Sequence, residues 1–205
     1  TMPIDGGEVQ QLTRGMEWDM QPRFSPDGRH IAFVSDKDGG WNLWMVNADG
    51  TTPKQVTRDR KGSLRSPTWT ADGPSIVIPR STGTPGPGGT GIFVYHRDGG
   101  SGYRLAEQGK VNTSNGVSLT PDGRYVYYTG GGRGGISRYD RESGEEVLVV
   151  SGFGTSVRPL VSPDGKWLAY GRTTDGVTEL RIREIATGQD RQLTARITRA
   201  VNWRS

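Results

Sequence analysis

Two histidines, His30 and His96, are the only imidazoles in a chain of 205 residues. A hydrolytic metal centre needs several histidines with carboxylate support. These two fall in different repeats of the chain, one just after a turn and one just before Asp98-Gly99, so both are expected as solvated strand-end residues. Serine chemistry has no better footing. No Gly-x-Ser-x-Gly elbow is present, and Gly152-Phe153-Gly154-Thr155-Ser156 has the wrong spacing. The absence of cysteine removes disulfide frameworks, thiolate zinc sites and cysteine nucleophiles together. Asp36-Lys37-Asp38-Gly39 has the outline of a calcium loop, but its glycine is misplaced and Asn47 stands where a bidentate glutamate belongs. Gly130-Gly131-Gly132-Arg133-Gly134-Gly135 lacks the lysine and the strand-to-helix setting of a phosphate loop, and reads as a hairpin tip. Asn112-Thr113-Ser114 is a formal glycosylation sequon, with meaning only in a eukaryotic secretory pathway. The expectation is a chain with no catalytic residue, no metal site and no cofactor of its own.

Other chemistry therefore has to come from the elements that present side chains. Glycine and proline, 32 and 12 residues, make up roughly a fifth of the chain, while apolar residues reach only 31%. Such a chain turns often. No apolar run approaches the roughly 20 residues that span a bilayer, so a soluble chain with neither membrane span nor signal peptide is expected. The net charge of +4 is too small to imply nucleic acid unless it gathers on one surface. The turns themselves repeat. Phe24-Ser25-Pro26-Asp27-Gly28 recurs as Trp69-Thr70-Ala71-Asp72-Gly73, Leu119-Thr120-Pro121-Asp122-Gly123 and Val161-Ser162-Pro163-Asp164-Gly165, the aspartates lying 45, 50 and 42 residues apart. That period is the length of a four-stranded propeller blade. Within each period the strand and turn signals keep one order, and no segment has a 3.6-residue apolar period. An all-β propeller of four complete four-stranded blades plus portions of a fifth is expected, a single domain over 1–205. The blades fall at about 21–58, 66–106, 116–150 and 158–194, with first strands beginning near Gln21, Ser66, Gly116 and Arg158. Proline presets φ, aspartate bonds locally and glycine accepts positive φ, so each Pro-Asp-Gly should close the turn between a blade's first two strands.

Ser25 to Ala32 and Asn47 to Gly50 resemble the TolB-type, WD40-like propeller repeat, with its Ser-Pro-Asp-Gly-Arg/Lys turn and Asn-Ala-Asp-Gly hairpin. Trp18 to Phe24, Trp167 to Tyr170 and Thr178 to Arg183 are similar to the propeller that precedes the catalytic domain in bacterial amidohydrolases. The same repeat occurs beside prolyl-oligopeptidase-like domains and in free-standing periplasmic proteins, so the resemblance implies an architecture of about six blades and a bacterial periplasmic or exported setting. It leaves activity open. The second repeat departs from the pattern, with Ala71 in place of proline and Pro74 after the glycine, and a local difference is expected there. Ser81 to Gly91 reads as a long loop inside one blade.

In a propeller, the connections between blades open on the same face as those between second and third strands. The segments assigned to that face, from 14–21 to 195–201, hold thirteen basic and seven acidic residues, a surplus of six against four for the whole chain. Long loops are also where binding groups gather. Trp44, Trp69 and Trp167 occupy strands and are expected to pack between blades, whereas Trp18 and Trp41 lie in connections. Trp18, Asp19, Gln21, Trp41, Arg65, Arg158 and Arg199 are the candidates for a binding face. The reading is a non-catalytic recognition module for a protein partner. The alternative is the propeller of an amidohydrolase or prolyl-oligopeptidase-like enzyme that gates substrate to a catalytic domain outside this chain.

At the ends, Thr1 to Ile4 and Glu8 to Thr13 match third and fourth strands of a blade, and Val201 to Trp203 matches a first strand. A blade built from these alone would lack its second strand, so a piece of a larger propeller, or self-association through open blade edges, is expected.

Overall fold

The computed structural model describes residues 1–3, 5–60, 62–81, 90–105, 116–129, 135–151, 158–174 and 177–194. Its architecture follows from the repeated turn. In all four copies the glycine N–H donates to the carbonyl three residues back, as Gly28 N does to Ser25 O at 2.9 Å, and the glycine lies in the left-handed region at φ between 69° and 86°. The hydroxyl opening each turn accepts the first N–H of the next strand: Ser25 from His30, Thr70 from Ser75, Thr120 from Tyr125 and Ser162 from Trp167. In three copies that hydroxyl also donates to the turn aspartate, Asp27, Asp122 or Asp164. In the second copy Thr70 donates instead to the Ser75 carbonyl, which is the local difference expected from Ala71.

Each turn reverses the chain into a four-stranded antiparallel blade whose strand order follows the sequence. The first blade is β1 (Asp19–Phe24), β2 (His30–Ser35), β3 (Asn42–Asn47) and β4 (Lys54–Gln55). In the second blade the first strand is broken into β5 (Ser63–Leu64) and β6 (Thr68–Trp69), both paired to β7 (Ser75–Ser81), followed by β8 (Thr90–His96) and β9 (Tyr103–Arg104). The third blade is β10 (Val117–Leu119), β11 (Tyr125–Thr129), β12 (Gly135–Asp140) and β13 (Glu146–Ser151). The fourth is β14 (Leu160–Val161), β15 (Trp167–Thr174), β16 (Val177–Glu184) and β17 (Asp190–Gln192). No helix occurs among the described residues. The molecule is all-β, with four four-stranded blades in propeller order.

The core is divided between neighbours. Ala32, Val34, Leu43 and Met45 of the first blade meet Trp69, Ile76, Ile78 and Tyr95 of the second. Val77, Ile92 and Val94 of the second meet Val117, Val126 and Tyr128 of the third. Tyr127, Ile136 and Val150 of the third meet Leu168 and Tyr170 of the fourth. Each central strand thus packs one neighbour with its even positions and the other with its odd ones, as the period of two requires. The face of the first blade turned away from the second carries Ile31, Phe33, Trp44 and Val46, and Leu12 packs against it. Trp44 therefore packs under the amino-terminal segment, while Trp69 fills the space between blades as expected. Trp167 lies on the face of β15 opposite Leu168 and Tyr170, half-buried beneath the Arg191 guanidinium at 5.5 Å.

Residues 1–13 hold no strand among those described. Thr1 and Gln10 nevertheless exchange two backbone hydrogen bonds, of 2.7 and 2.8 Å, in the manner of one antiparallel pair. Ser81 ends β7, and the remainder of the glycine- and proline-rich loop to residue 89 lies outside the described residues, as do Gly130 to Gly134, Asn112 to Ser114, Gly152 to Ser156 and Val201 to Trp203.

Candidate functional site

The first strands line the channel, and all four arrive at it through equivalent residues: Gln21, Ser66, Gly116 and Arg158. Three are followed by proline, as Gln21-Pro22, Ser66-Pro67 and Arg158-Pro159. An inner edge strand tolerates proline because no further strand needs its N–H. Gln21 and Ser66 have φ of 56° and 53°, two of the three described non-glycine residues with positive φ, and Gly116 has 112°. At Gln21 this conformation breaks the register of β1 with β2 between Met20 and Arg23. Backbone strain of this kind costs about 1–3 kcal/mol per residue and persists where the surroundings enforce it.

Those surroundings are a set of bonds between blades. The Ser66 N–H of the second blade donates to Gln21 Oε1 of the first at 2.6 Å. Trp69 Nε1 donates to the Arg23 carbonyl at 3.0 Å, tying the same two blades one step deeper. Thr68 Oγ1 donates to the Val117 carbonyl of the third blade at 2.9 Å, and Val161 N of the fourth donates to Ser118 Oγ of the third at 2.9 Å. Arg158 spans furthest. Its side chain leaves the fourth blade, crosses the third over Gly116 and places Nη2 3.2 Å from the Pro67 carbonyl of the second. Gly116 is what opens the path, since a Cβ there would stand 2.9 Å from Arg158 Cγ.

Electrostatically the mouth is one-sided. Among the described residues Arg158 makes that single hydrogen bond and meets no carboxylate, and its Nε is buried without a partner. Burial pushes its pKa down to about 9, and the like charge of Arg23 lowers it further in the same sense. Arg158 stays cationic at neutral pH. Arg23 is also lowered by burial, and its Nη1 bonds only the adjacent Pro22 carbonyl, at 2.9 Å. Three acids on the surrounding face are already engaged. Asp59 pairs with Arg80 at 2.6 Å, Glu17 with Lys37 at 3.6 Å, and the Asp36 carboxylate accepts the Trp18 N–H at 2.9 Å.

The candidates read from the sequence separate accordingly. Gln21 and Arg158 meet the channel, whereas Trp18 and Asp19 lie exposed beside it, Trp18 with 69% of its surface accessible. Arg65 is exposed on the connection into the second blade, its N–H bonded to the Pro79 carbonyl at 3.2 Å. Trp41 is half-buried against the core between the first two blades, because its bridge to Ser63 folds the connection inward. It is not an exposed contact. Arg199 lies outside the described residues. The sequence reading missed Arg23, Ser66 and Gly116 as site residues; the recurring residue-plus-proline step could have marked Ser66, and its position six residues before the turn aspartate could have marked Gly116. His96 is exposed, its Nδ1 accepting the Asp98 N–H at 3.2 Å, while His30 is half-buried with Nδ1 unpartnered.

No family model matches the chain. An uncharacterized peptidase of Bacillus subtilis, YuxL, is 31% identical over 166 residues, which cover 80% of this chain and 23% of that protein. Among solved structures, a puromycin-hydrolyzing peptidase of Mycobacterium tuberculosis superposes with a TM-score of 0.72 at 19% identity, over 94% of this chain and 32% of that one. TolB of Acinetobacter baumannii superposes with a TM-score of 0.68 at 22% identity, over 83% of this chain and 41% of its own length. The fold is that of the TolB-like β-propellers, free-standing and peptidase-associated alike, and the chain spans less than half of each of these relatives.

Proposed function

We propose that the chain is a non-catalytic TolB-like propeller module that recognises polypeptide through the loop-rich basic face around its channel mouth. A TolB-like setting, periplasmic or exported in a bacterium, goes with this reading, and the partner is a protein or an attached hydrolase domain. The observation that carries it is Arg158, a half-buried cation held across three blades at the channel with no acid beside it among the described residues. A propeller built only for stability gains nothing from desolvating an unpaired guanidinium. Hydrogen exchange of the whole chain, free and with an excess of random twelve-residue peptides, tests the reading. Protection should gather at 19–23, 63–69, 116–118 and 158–161. Protection confined to the outer strands, or none, refutes it.

A second reading rests on the similarity to the Bacillus peptidase and to the puromycin-hydrolyzing enzyme. Here the chain is the propeller portion of a hydrolase, and the mouth screens what reaches a catalytic domain beyond it. Reading the parent gene past Ser205 separates the two: a nucleophile elbow followed by an acid and a histidine decides for the hydrolase.

A further inference from the structure

Among the described residues, the groups that meet at the mouth are chiefly donors, with the Asp19 carboxylate exposed beside them. Ser66 N–H can only donate, so Gln21 must turn Oε1 toward it, which leaves the Nε2 amine as the polar function Gln21 still presents. The Pro67 carbonyl is occupied by Arg158, and the Arg23 carbonyl by Trp69. Among the described residues Arg158 makes one hydrogen bond, through Nη2, its Nε being buried, and Arg23 adds a second guanidinium. The chain of contacts from Arg158 through Pro67 and Ser66 to Gln21 is continuous, which brings Arg158 and Gln21 to one mouth, and Arg23 lies within electrostatic reach of Arg158.

Anion class can be read from what is missing. Phosphate sites are built on several converging backbone N–H groups. At this mouth Pro22, Pro67 and Pro159 have none, and Ser66 has committed its own to Gln21. What remains are planar side-chain forks, which match the paired oxygens of carboxylate and phosphate alike, so the missing backbone cradle is what favours the carboxylate.

The geometry points to a carboxylate-binding site at the channel mouth, formed by Arg158 and Arg23 with the Gln21 amide, that takes the carboxylate of a polypeptide. This rests on the recognition reading above and names the group recognised. The anion would supply the acidic partner that Arg158 lacks among the described residues, relieving both its desolvation and its repulsion from Arg23.

The test uses the full chain labelled with nitrogen-15, following the arginine Nε–Hε resonances during titration with four probes. These are N-acetyl-triglycine with a free carboxylate, the same peptide as its amide, N-acetyl-Gly-Asp-Gly amide, and inorganic phosphate. The Arg158 and Arg23 resonances should shift saturably with the two carboxylate peptides and not with the fully capped one. The stronger of the two carboxylate peptides identifies a chain terminus or an acidic side chain as the natural source. Arg158→Gln should weaken the preferred peptide at least tenfold. Arg158→Lys, which keeps the stem over Gly116 and the charge but loses the fork, should weaken it several-fold and guards against a folding artefact. Equal shifts from capped and free peptides would overturn the carboxylate assignment while leaving peptide recognition standing. Phosphate binding tenfold tighter than either carboxylate, unchanged affinity in both Arg158 variants, or no shift with any probe would overturn it too. In the last case the exchange experiment with longer peptides still decides the recognition reading separately.

Discussion

Buried Asn42 satisfies all four of its amide valences across one loop. Its Oδ1 accepts from Thr57 Oγ1 at 2.9 Å and Asp59 N at 2.7 Å, while Nδ2 donates to the Gly40 and Asp59 carbonyls, both at 3.1 Å. Asp59, so fixed, holds Arg80. Asn42→Ala should destabilise the protein by about 2–4 kcal/mol, the cost of several stranded buried groups, measured by urea unfolding. Asp140 acts at a different pH. The Arg124 guanidinium, helped by the Glu142 and Ser143 N–H groups, holds its carboxyl down to about 2, below its ordinary 3.8. Its folded pKa is the lower one, so its contribution is full above about 4 and is lost as pH falls toward 2. Asp140→Asn should flatten the acid limb of the stability profile in that window, read from thermal melts at a series of pH values. Neither role was legible in the sequence. Asn42 stands in a strand-like run, and its partners lie 15 and 17 residues away in a loop without pattern. Arg158 was marked as a binding-face candidate but not as a side chain spanning three blades, because its acceptor is 91 residues distant.

The turns were legible because their signal is local: proline, aspartate and glycine each do one thing within four residues, and the chain does it repeatedly. Gly28 isolates the backbone part of that signal. Its φ is 69° and a Cβ would meet nothing within 4 Å, so Gly28→Ala should cost about 1–2 kcal/mol through left-handed strain alone, seen as a lower urea midpoint with an unchanged slope. The strand entries were harder to read. A residue followed by proline ordinarily reads as extended chain or a turn, and nothing in Met20-Gln21-Pro22 or Arg65-Ser66-Pro67 announces a left-handed residue that bends the strand into a channel wall. The break between β5 and β6 was missed for the same reason, and the first strand of the second blade begins three residues earlier than Ser66.

Across the molecule, the blade count came from the 42-to-50-residue recurrence, while the fate of the terminal segment did not follow from its apolar pattern. Leu12 packs on Ile31, Phe33, Trp44 and Val46 without belonging to a strand. Leu12→Asp should lift the segment from that face, lowering stability by about 1–2 kcal/mol and increasing the binding of an apolar dye; an unchanged melt and dye signal would show that the contact contributes nothing. The division of the core has a longer reach. Each of the three inter-blade cores joins only consecutive blades, so the four blades form a row in which stability is passed from neighbour to neighbour. The fourth blade, whose strand β16 is only half-buried along its length and whose outer strand β17 is three exposed residues, should open before the second and third blades and leave them folded. Native-state amide exchange would then fall into tiers rather than a single global rate, with β16 exchanging well before β7 and β11. A protein with these contacts would yield in steps, like a zipper releasing one tooth at a time, rather than all at once.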